Sequence, residues 1–302
     1  MMKIGFSSLA CPAWDLATIL GKVAEFGYDG IELRGLVGEM DLTLVPDLAA
    51  DPAGARRRFE EAKVELVCIG ASASFESPDR KVVAGRRLKV IEFIELAGKL
   101  GCPFVRVFIG EVPRRQSREG TLARIAETLQ TLAPIAARHR VTVLVENTSG
   151  DYAGSRDVWY VVDHAAHPAI KCCWNPFWAM TVGERPTTSI PRLGTKIAMV
   201  HVCDGRFSRD GLLEDYAIPG AGDVELVRMI ELLKGIVYRG YLMFEWPKLW
   251  IDRLAAAEQV LPQVAKFLKE RIAARDPVLT AYKGDKQAAK FAPLPAPLAR
   301  PV

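Results

Sequence analysis

Short runs of β-branched and apolar residues recur along this chain, separated by longer stretches of helical period. The run Val141-Thr-Val-Leu-Val-Glu146-Asn147 shows the form most plainly: it is apolar at almost every position and ends in a carboxylate and an amide. Continuous apolarity over five or six residues marks a strand buried on both faces, as in the interior of a parallel sheet. Ile170-Lys-Cys-Cys-Trp-Asn175, Ile197-Ala-Met-Val-His201 and Tyr241-Leu-Met-Phe-Glu245 repeat the pattern. Taken in order, strands are predicted at 3–7, 30–34, 64–70, 104–109, 141–146, 170–175, 197–202 and 241–245. Between and after them, helices are predicted at 15–26, 56–63, 80–100, 117–138, 155–166, a short one ending near Gly194, 223–235 and 252–274. Asp15 and Asp223 are the expected N-caps, and Gly27 and Gly101 stand just past helix ends.

Strict alternation of strand and helix argues for parallel strands joined by helical crossovers. Eight such units within residues 1–275 match the count of a closed (β/α)8 TIM barrel, which typically takes about 250 residues. An open doubly wound sheet is the competing topology. It would favour a Gly-rich phosphate turn after the first strand, and Ser7-Ser-Leu-Ala10 is not one. Gly220-Ala-Gly222 has no strand before it and reads as a turn leading to an N-cap. Residues 276–302 lose the helical period and end Pro293-Leu-Pro-Ala-Pro-Leu-Ala-Arg-Pro301; this Pro/Ala-rich tail is expected to be disordered or packed in extended form over the barrel or a partner chain.

Composition narrows the class. Forty Lys and Arg against 36 Asp and Glu give a net charge of +4, too balanced to argue for nucleic acid or an anionic membrane. The six cysteines form no Cys-x-x-Cys pair, and four fall in or just after apolar runs, as reduced core thiols do. The first residues run directly into a strand without the features of a signal peptide, and no apolar run approaches the ~18 residues of a membrane span. A cytoplasmic protein is expected.

The chemistry is expected where the strands end. In barrels of this kind the active site lies at the C-terminal ends of the strands. Glu146, Asn175, His201 and Glu245 end four consecutive strands and would converge on one mouth. A strand-end Glu on its own is more often a cap or an ion-pair partner, a lone His a hydrogen-bonded one, and Asn before Pro176 a turn residue. The joint pattern points instead to one shared site. Two carboxylates, an imidazole and an amide oxygen suit a divalent ion, Mn²⁺ first, with Mg²⁺, Co²⁺ or Zn²⁺ also fitting. Such an ion would stabilise an enediolate while a carboxylate moves a proton.

Residues 3–272 resemble the xylose isomerase-like TIM barrels, the sugar-phosphate isomerases and epimerases. The resemblance is carried by Gly30-Ile-Glu-Leu-Arg34, Val145-Glu-Asn147, Cys173-Trp-Asn-Pro176, Val200-His-Val-Cys-Asp204, Pro219-Gly-Ala-Gly-Asp223 and Gly240-Tyr-Leu-Met-Phe-Glu-Trp246. It implies that Glu146, Asn175, His201 and Glu245 hold the metal, and that Glu146 and Glu245 act as acid and base. The family usually has Asp where Asn175 stands, and a Lys in the run that here reads His201-Val-Cys-Asp204. The amide removes one negative charge and should weaken the metal site. Arg34, Arg106, Arg206 and Lys248 are candidates to orient an anionic or polyhydroxylated substrate. Trp178 and Trp246, with Trp14, Phe108 and Trp250, are candidates for an aromatic wall against a sugar. Endonuclease-type members use several histidines for three zinc ions. The other histidines here, His139, His164 and His167, fall in helices or before a strand, which disfavours DNA repair.

The expected function is metal-dependent isomerisation or epimerisation of a small sugar, keto-sugar or cyclitol. A lyase or dehydratase acting by β-elimination would begin with the same proton abstraction, and a non-catalytic barrel that lost its metal with the Asp is a further alternative. A homo-oligomer, formed in part through the tail, is expected.

Overall fold

In a computed structural model, which describes residues 1–274, the eight predicted strands form a closed parallel barrel. They are β1 (Lys3–Ser7), β2 (Gly30–Leu33), β3 (Glu65–Gly70), β4 (Phe104–Phe108), β5 (Thr142–Glu146), β6 (Ile170–Trp174), β7 (Ile197–Val202) and β10 (Tyr241–Phe244). Each pairs with the next, and β10 closes the ring on β1 through Lys3↔Tyr241 to Phe6↔Phe244. The predicted tail, 276–302, lies outside the described residues. Among those described, no helix is long and apolar enough to cross a membrane.

The helices form for local reasons that the sequence shows. In α1 (Leu16–Phe26), the Asp15 carboxylate accepts the Thr18 N–H at 2.8 Å, and Gly27 ends the helix at φ 73°. Asp79 and Ser117 cap α4 (Arg80–Leu100) and α5 (Arg118–Arg138) in the same way. Each such cap is worth about 1 kcal/mol.

Several segments depart from expectation; the helix expected at 56–63, for one, begins at Pro52. An antiparallel hairpin, β8 (Asp204–Phe207) and β9 (Leu213–Ala217), follows β7. Asp223 does not cap the next helix: its carboxylate accepts the Phe207 N–H at 2.8 Å, and α9 (Leu226–Gly235) starts after Glu225. The last helix, α10 (Ala257–Ala273), starts five residues later than residue 252. The Gly220-Ala-Gly222 turn is organised by Asp204, whose buried carboxylate accepts the N–H groups of Gly205, Gly220, Gly222 and Val224 at 2.8–3.1 Å. A Cβ on Gly222 would lie 2.2 Å from Asp204 Oδ1, so only glycine fits there. This bracing fixes the base of the hairpin.

Because strand side chains alternate, residues two apart share a face. Leu144, Cys173, Met199 and Met243 belong to one small buried apolar cluster. They share the inner face with Glu146, Asn175, His201 and Glu245, one step closer to the C-terminal mouth. Outward residues such as Val143, Val145, Trp174, Val200 and Phe244 join the main core under the helices. The barrel interior is therefore apolar below and charged at the top.

Candidate active site

The charged layer is closely knit. His201 stands between two carboxylates, with Nδ1 2.7 Å from Glu146 Oε1 and Nε2 2.9 Å from Glu32 Oε2. Glu32 comes from β2 and is fully buried. Asn175 donates Nδ2–H to Glu146 Oε1 at 3.0 Å and to Glu245 Oε2 at 3.4 Å. His201 Nδ1 also lies 3.8 Å from Glu245 Oε2. Arg106, fully buried on β4, places Nε 3.1 Å from Glu146 Oε2 and 3.8 Å from Glu32 Oε1. The four strand ends named from the sequence thus meet in one cluster, joined by Glu32 and Arg106.

Asn175 is presented differently from the amide-oxygen ligand expected. Its Oδ1 accepts the Phe177 N–H at 3.2 Å and so caps α7 (Pro176–Met180). Its own backbone is held by Asn147, whose Oδ1 accepts the Asn175 N–H and whose Nδ2 donates to the carbonyls of Ala153 and Asn175, each at 2.8 Å. Turning the amide over would aim Nδ2 at the Phe177 N–H and Oδ1 at two carboxylates, losing favourable contacts on both sides. The side chain accordingly faces the site as a donor.

Above this layer is a cavity of about 370 Å³, lined by Arg34, Phe108, Glu146, Phe177, Trp178, Tyr216, Glu245 and Trp250 among others. Of the remaining candidates, Arg106 lies beneath the cavity. Arg206 is exposed on the hairpin. Lys248 Nζ donates to the Asp252 carbonyl. Trp246 is buried against Phe244 and Tyr216, its Nε1 donating to Ala255 O at 3.0 Å. Trp14 bonds Glu258 through its own Nε1. None of Arg206, Lys248, Trp246 and Trp14 lines the cavity. Glu32 and Cys173 complete the cluster without having been assigned a role from the sequence. The signal for each was spacing: Glu32 is two residues before Arg34 and Cys173 two before Asn175.

The environment separates the two mouth carboxylates. Burial opposes a charge on Glu146, but His201, Arg106 and the Asn175 hydrogen bond prevail and hold it below the ordinary carboxylate range. Glu32 is likewise held at about 2, against burial, by His201, Arg106 and Arg34. Burial and the charges of Glu146 and Glu32 push Glu245 up to about 7, against the pull of His201 and Arg106. Burial opposes charge on His201 too, yet Cys173, Glu146, Glu32 and Glu245 raise its pKa well above that of a free imidazole. Burial drives the Cys173 thiol up to about 12, so the negative charge comes from the carboxylates. An imidazolium can donate from both ring nitrogens, as this double contact requires.

Glu146, His201 and Glu245 could hold a divalent ion: Glu245 Oε2 lies 3.8 Å from the same His201 Nδ1 that Glu146 contacts at 2.7 Å. Among the described residues, Glu146 Oε2 accepts no hydrogen bond despite its proximity to Arg106. Glu146, Cys173 and His201 each offer a ligand atom within 4.8 Å of the others. With Nδ1 given to a metal, Nε2–H would remain on Glu32, the carboxylate–histidine–metal arrangement that fixes the imidazole tautomer. Glu32→Ala is therefore expected to weaken divalent-ion affinity about 10–100-fold. Calorimetric titration checks this, and wild-type affinity in the variant would remove Glu32 from the metal account.

A closed ring of eight parallel strands with helices between them is a TIM barrel. The chain belongs to the xylose isomerase-like TIM barrel family, whose model matches residues 20–271. No protein of curated function matches the sequence. Among solved structures, it is similar to D-psicose 3-epimerase, with a TM-score of 0.73 at 16% identity over 90% of this chain and 100% of that one. L-Ribulose 3-epimerase gives 0.72 at 18% identity, covering 97% and 99% of the two chains. The IOLI protein with a bound zinc atom gives 0.78 at 19%, covering 90% and 98%. These likenesses establish the fold.

Proposed function

We propose that this chain is a metal-dependent isomerase or epimerase of a small sugar, keto-sugar or cyclitol. The reading rests chiefly on one observation: Glu146 and Glu245, from strands three places apart in the ring, are both contacted by the same amide and the same imidazole and both line one cavity. The epimerase structures that share the fold support the choice of reaction.

Glu146, His201 and Glu245 would hold the ion, which supplies Lewis-acid polarisation of the substrate's carbonyl. Its identity is proposed as Mn²⁺; the zinc of the IOLI protein makes Zn²⁺ the alternative to test. Glu146 and Glu245 exchange a proton with the carbon beside that carbonyl, one removing it and the other returning it. A bound divalent cation would favour the ionised form of both carboxylates, so that either could accept the proton as base. Asn175 orients both by donating to each. Arg106, held against Glu146 and Glu32, fixes their geometry from below. Phe108, Phe177, Trp178, Tyr216 and Trp250 give the cavity an apolar wall that excludes water and faces a sugar's C–H surface.

The experiment is turnover of a keto-sugar and cyclitol panel in D₂O with Mn²⁺ present. The expected product is an isomer of unchanged skeleton carrying solvent deuterium at the reacting carbon. A product lighter by water or by a leaving group would move the assignment to a lyase. Isomerisation without any deuterium would indicate hydride transfer and overturn the proton-transfer reading.

A further inference from the structure

Among the described residues, Arg34 makes no direct ion pair, although Glu32, Glu245 and Glu146 act on it from farther off. It stands at the end of β2, is only 6% exposed and lines the cavity. No carboxylate oxygen among the described residues lies within 4.0 Å of it, whereas Arg106 beside it faces Glu146 and Glu32. Among the described residues its guanidinium makes one hydrogen bond, a long one, Nη1 to Gly70 O at 3.5 Å. A guanidinium carries five N–H donors, so most are uncommitted. Burying a cation this deeply without a direct partner is expensive, and an anionic ligand in the cavity would offset that cost.

The surroundings hold the group in place. Phe108 lies under both guanidiniums, with ring-centroid distances of 5.6 Å to Arg34 and 4.1 Å to Arg106. Gly70 makes room for them: a Cβ there would stand 2.7 Å from Arg34 Cδ and 2.9 Å from Arg106 Nη2.

We propose that the substrate is an acid sugar whose carboxylate is received by the free guanidinium edge of Arg34. This deepens the isomerase reading and rests on it for the position of the reacting carbons. A carboxylate is favoured over a phosphate because one guanidinium matches one carboxylate bidentately, and among the described residues no second cation lines the cavity to meet a second charge.

The test is calorimetric titration of the Mn²⁺-supplemented full-length protein with D-galacturonate and D-glucuronate against D-galactose and D-glucose, with D-glucose 6-phosphate as a further arm. At least one uronate is expected to bind about tenfold or more tightly than its neutral parent, as a charge-assisted hydrogen bond allows. Arg34→Gln should erase that preference without changing metal content, and Arg34→Lys should restore part of it. The proposal is overturned if acid and parent bind alike, if Arg34→Gln keeps the preference, if only the phosphate binds, or if none binds. Equal binding would leave Arg34 to charge that develops during reaction. Deuterium incorporation into neutral sugars without a uronate preference would overturn this inference alone. A uronate preference carried by Arg34, without deuterium in any product, would overturn the isomerase reading alone.

Discussion

With its divalent ion retained, Glu245→Gln is expected to turn over at least about 100-fold more slowly than the wild type, as loss of a general acid or base requires. Glutamine keeps the shape of the side chain and an oxygen that can accept the Asn175 N–H, now 3.4 Å away. It cannot carry a proton. Glu146 alone could then take a proton from one face of the carbon but would have to return it to the same face. The variant should therefore retain slow solvent exchange at the substrate carbon while losing net conversion, with little change in KM. Mass spectrometry of product and recovered substrate separates the two quantities. Near-normal turnover by a metal-loaded Glu245→Gln would remove Glu245 from the chemistry.

Arg106→Leu should have the largest effect on stability. Arg106 and Glu32 are fully buried, and Glu146 is nearly so. Removing the guanidinium leaves two carboxylates facing each other across His201, and uncompensated buried charge of this kind costs about 3–5 kcal/mol. A divalent ion at Glu146 would replace part of the missing charge. The variant should therefore unfold at a much lower temperature than the wild type in chelator, with a smaller gap in excess Mn²⁺, since ligand binding to the folded state adds about 2.7 kcal/mol at 100 times Kd. Thermal unfolding under both conditions measures the two gaps. Equal Tm values for variant and wild type in chelator would show that the guanidinium does not balance this layer.

The fold was legible because parallel barrel strands are buried on both faces, which leaves continuous apolar runs that few other elements produce. The caps at Asp15 and Gly27 were legible because they act within a few residues of themselves. The hairpin was not. Asp204-Gly-Arg-Phe207 and Leu213-Glu-Asp-Tyr-Ala217 carry little apolar alternation, and the hairpin depends on a buried carboxylate reaching residues sixteen to twenty positions on. Asp223 misled for a related reason: the nearest helix start was in reach by sequence, but the hairpin's Phe207 N–H was in reach in space.

Within the site, convergence of the four strand ends follows from strand polarity alone, and the structure brings them together. What each end presents does not follow. Asn175 turns its nitrogen to the carboxylates because a neighbouring helix start claims its oxygen. Glu32 takes its role from space rather than sequence, since β2 sets its carboxylate 2.9 Å from His201 Nε2. Arg206 and Lys248 adjoin site strands in sequence but leave the mouth, one along the hairpin and the other toward Asp252.

The shared site is tested most directly by the metal content of the full-length protein purified without chelator and dialysed against Mn²⁺ or Zn²⁺. The wild type should retain one divalent ion per chain. Glu146→Gln and His201→Ala should each retain a small fraction of that, with far-UV circular dichroism showing the barrel intact. Undiminished metal in both folded variants, or none in the wild type, would contradict a metal held by Glu146, His201 and Glu245.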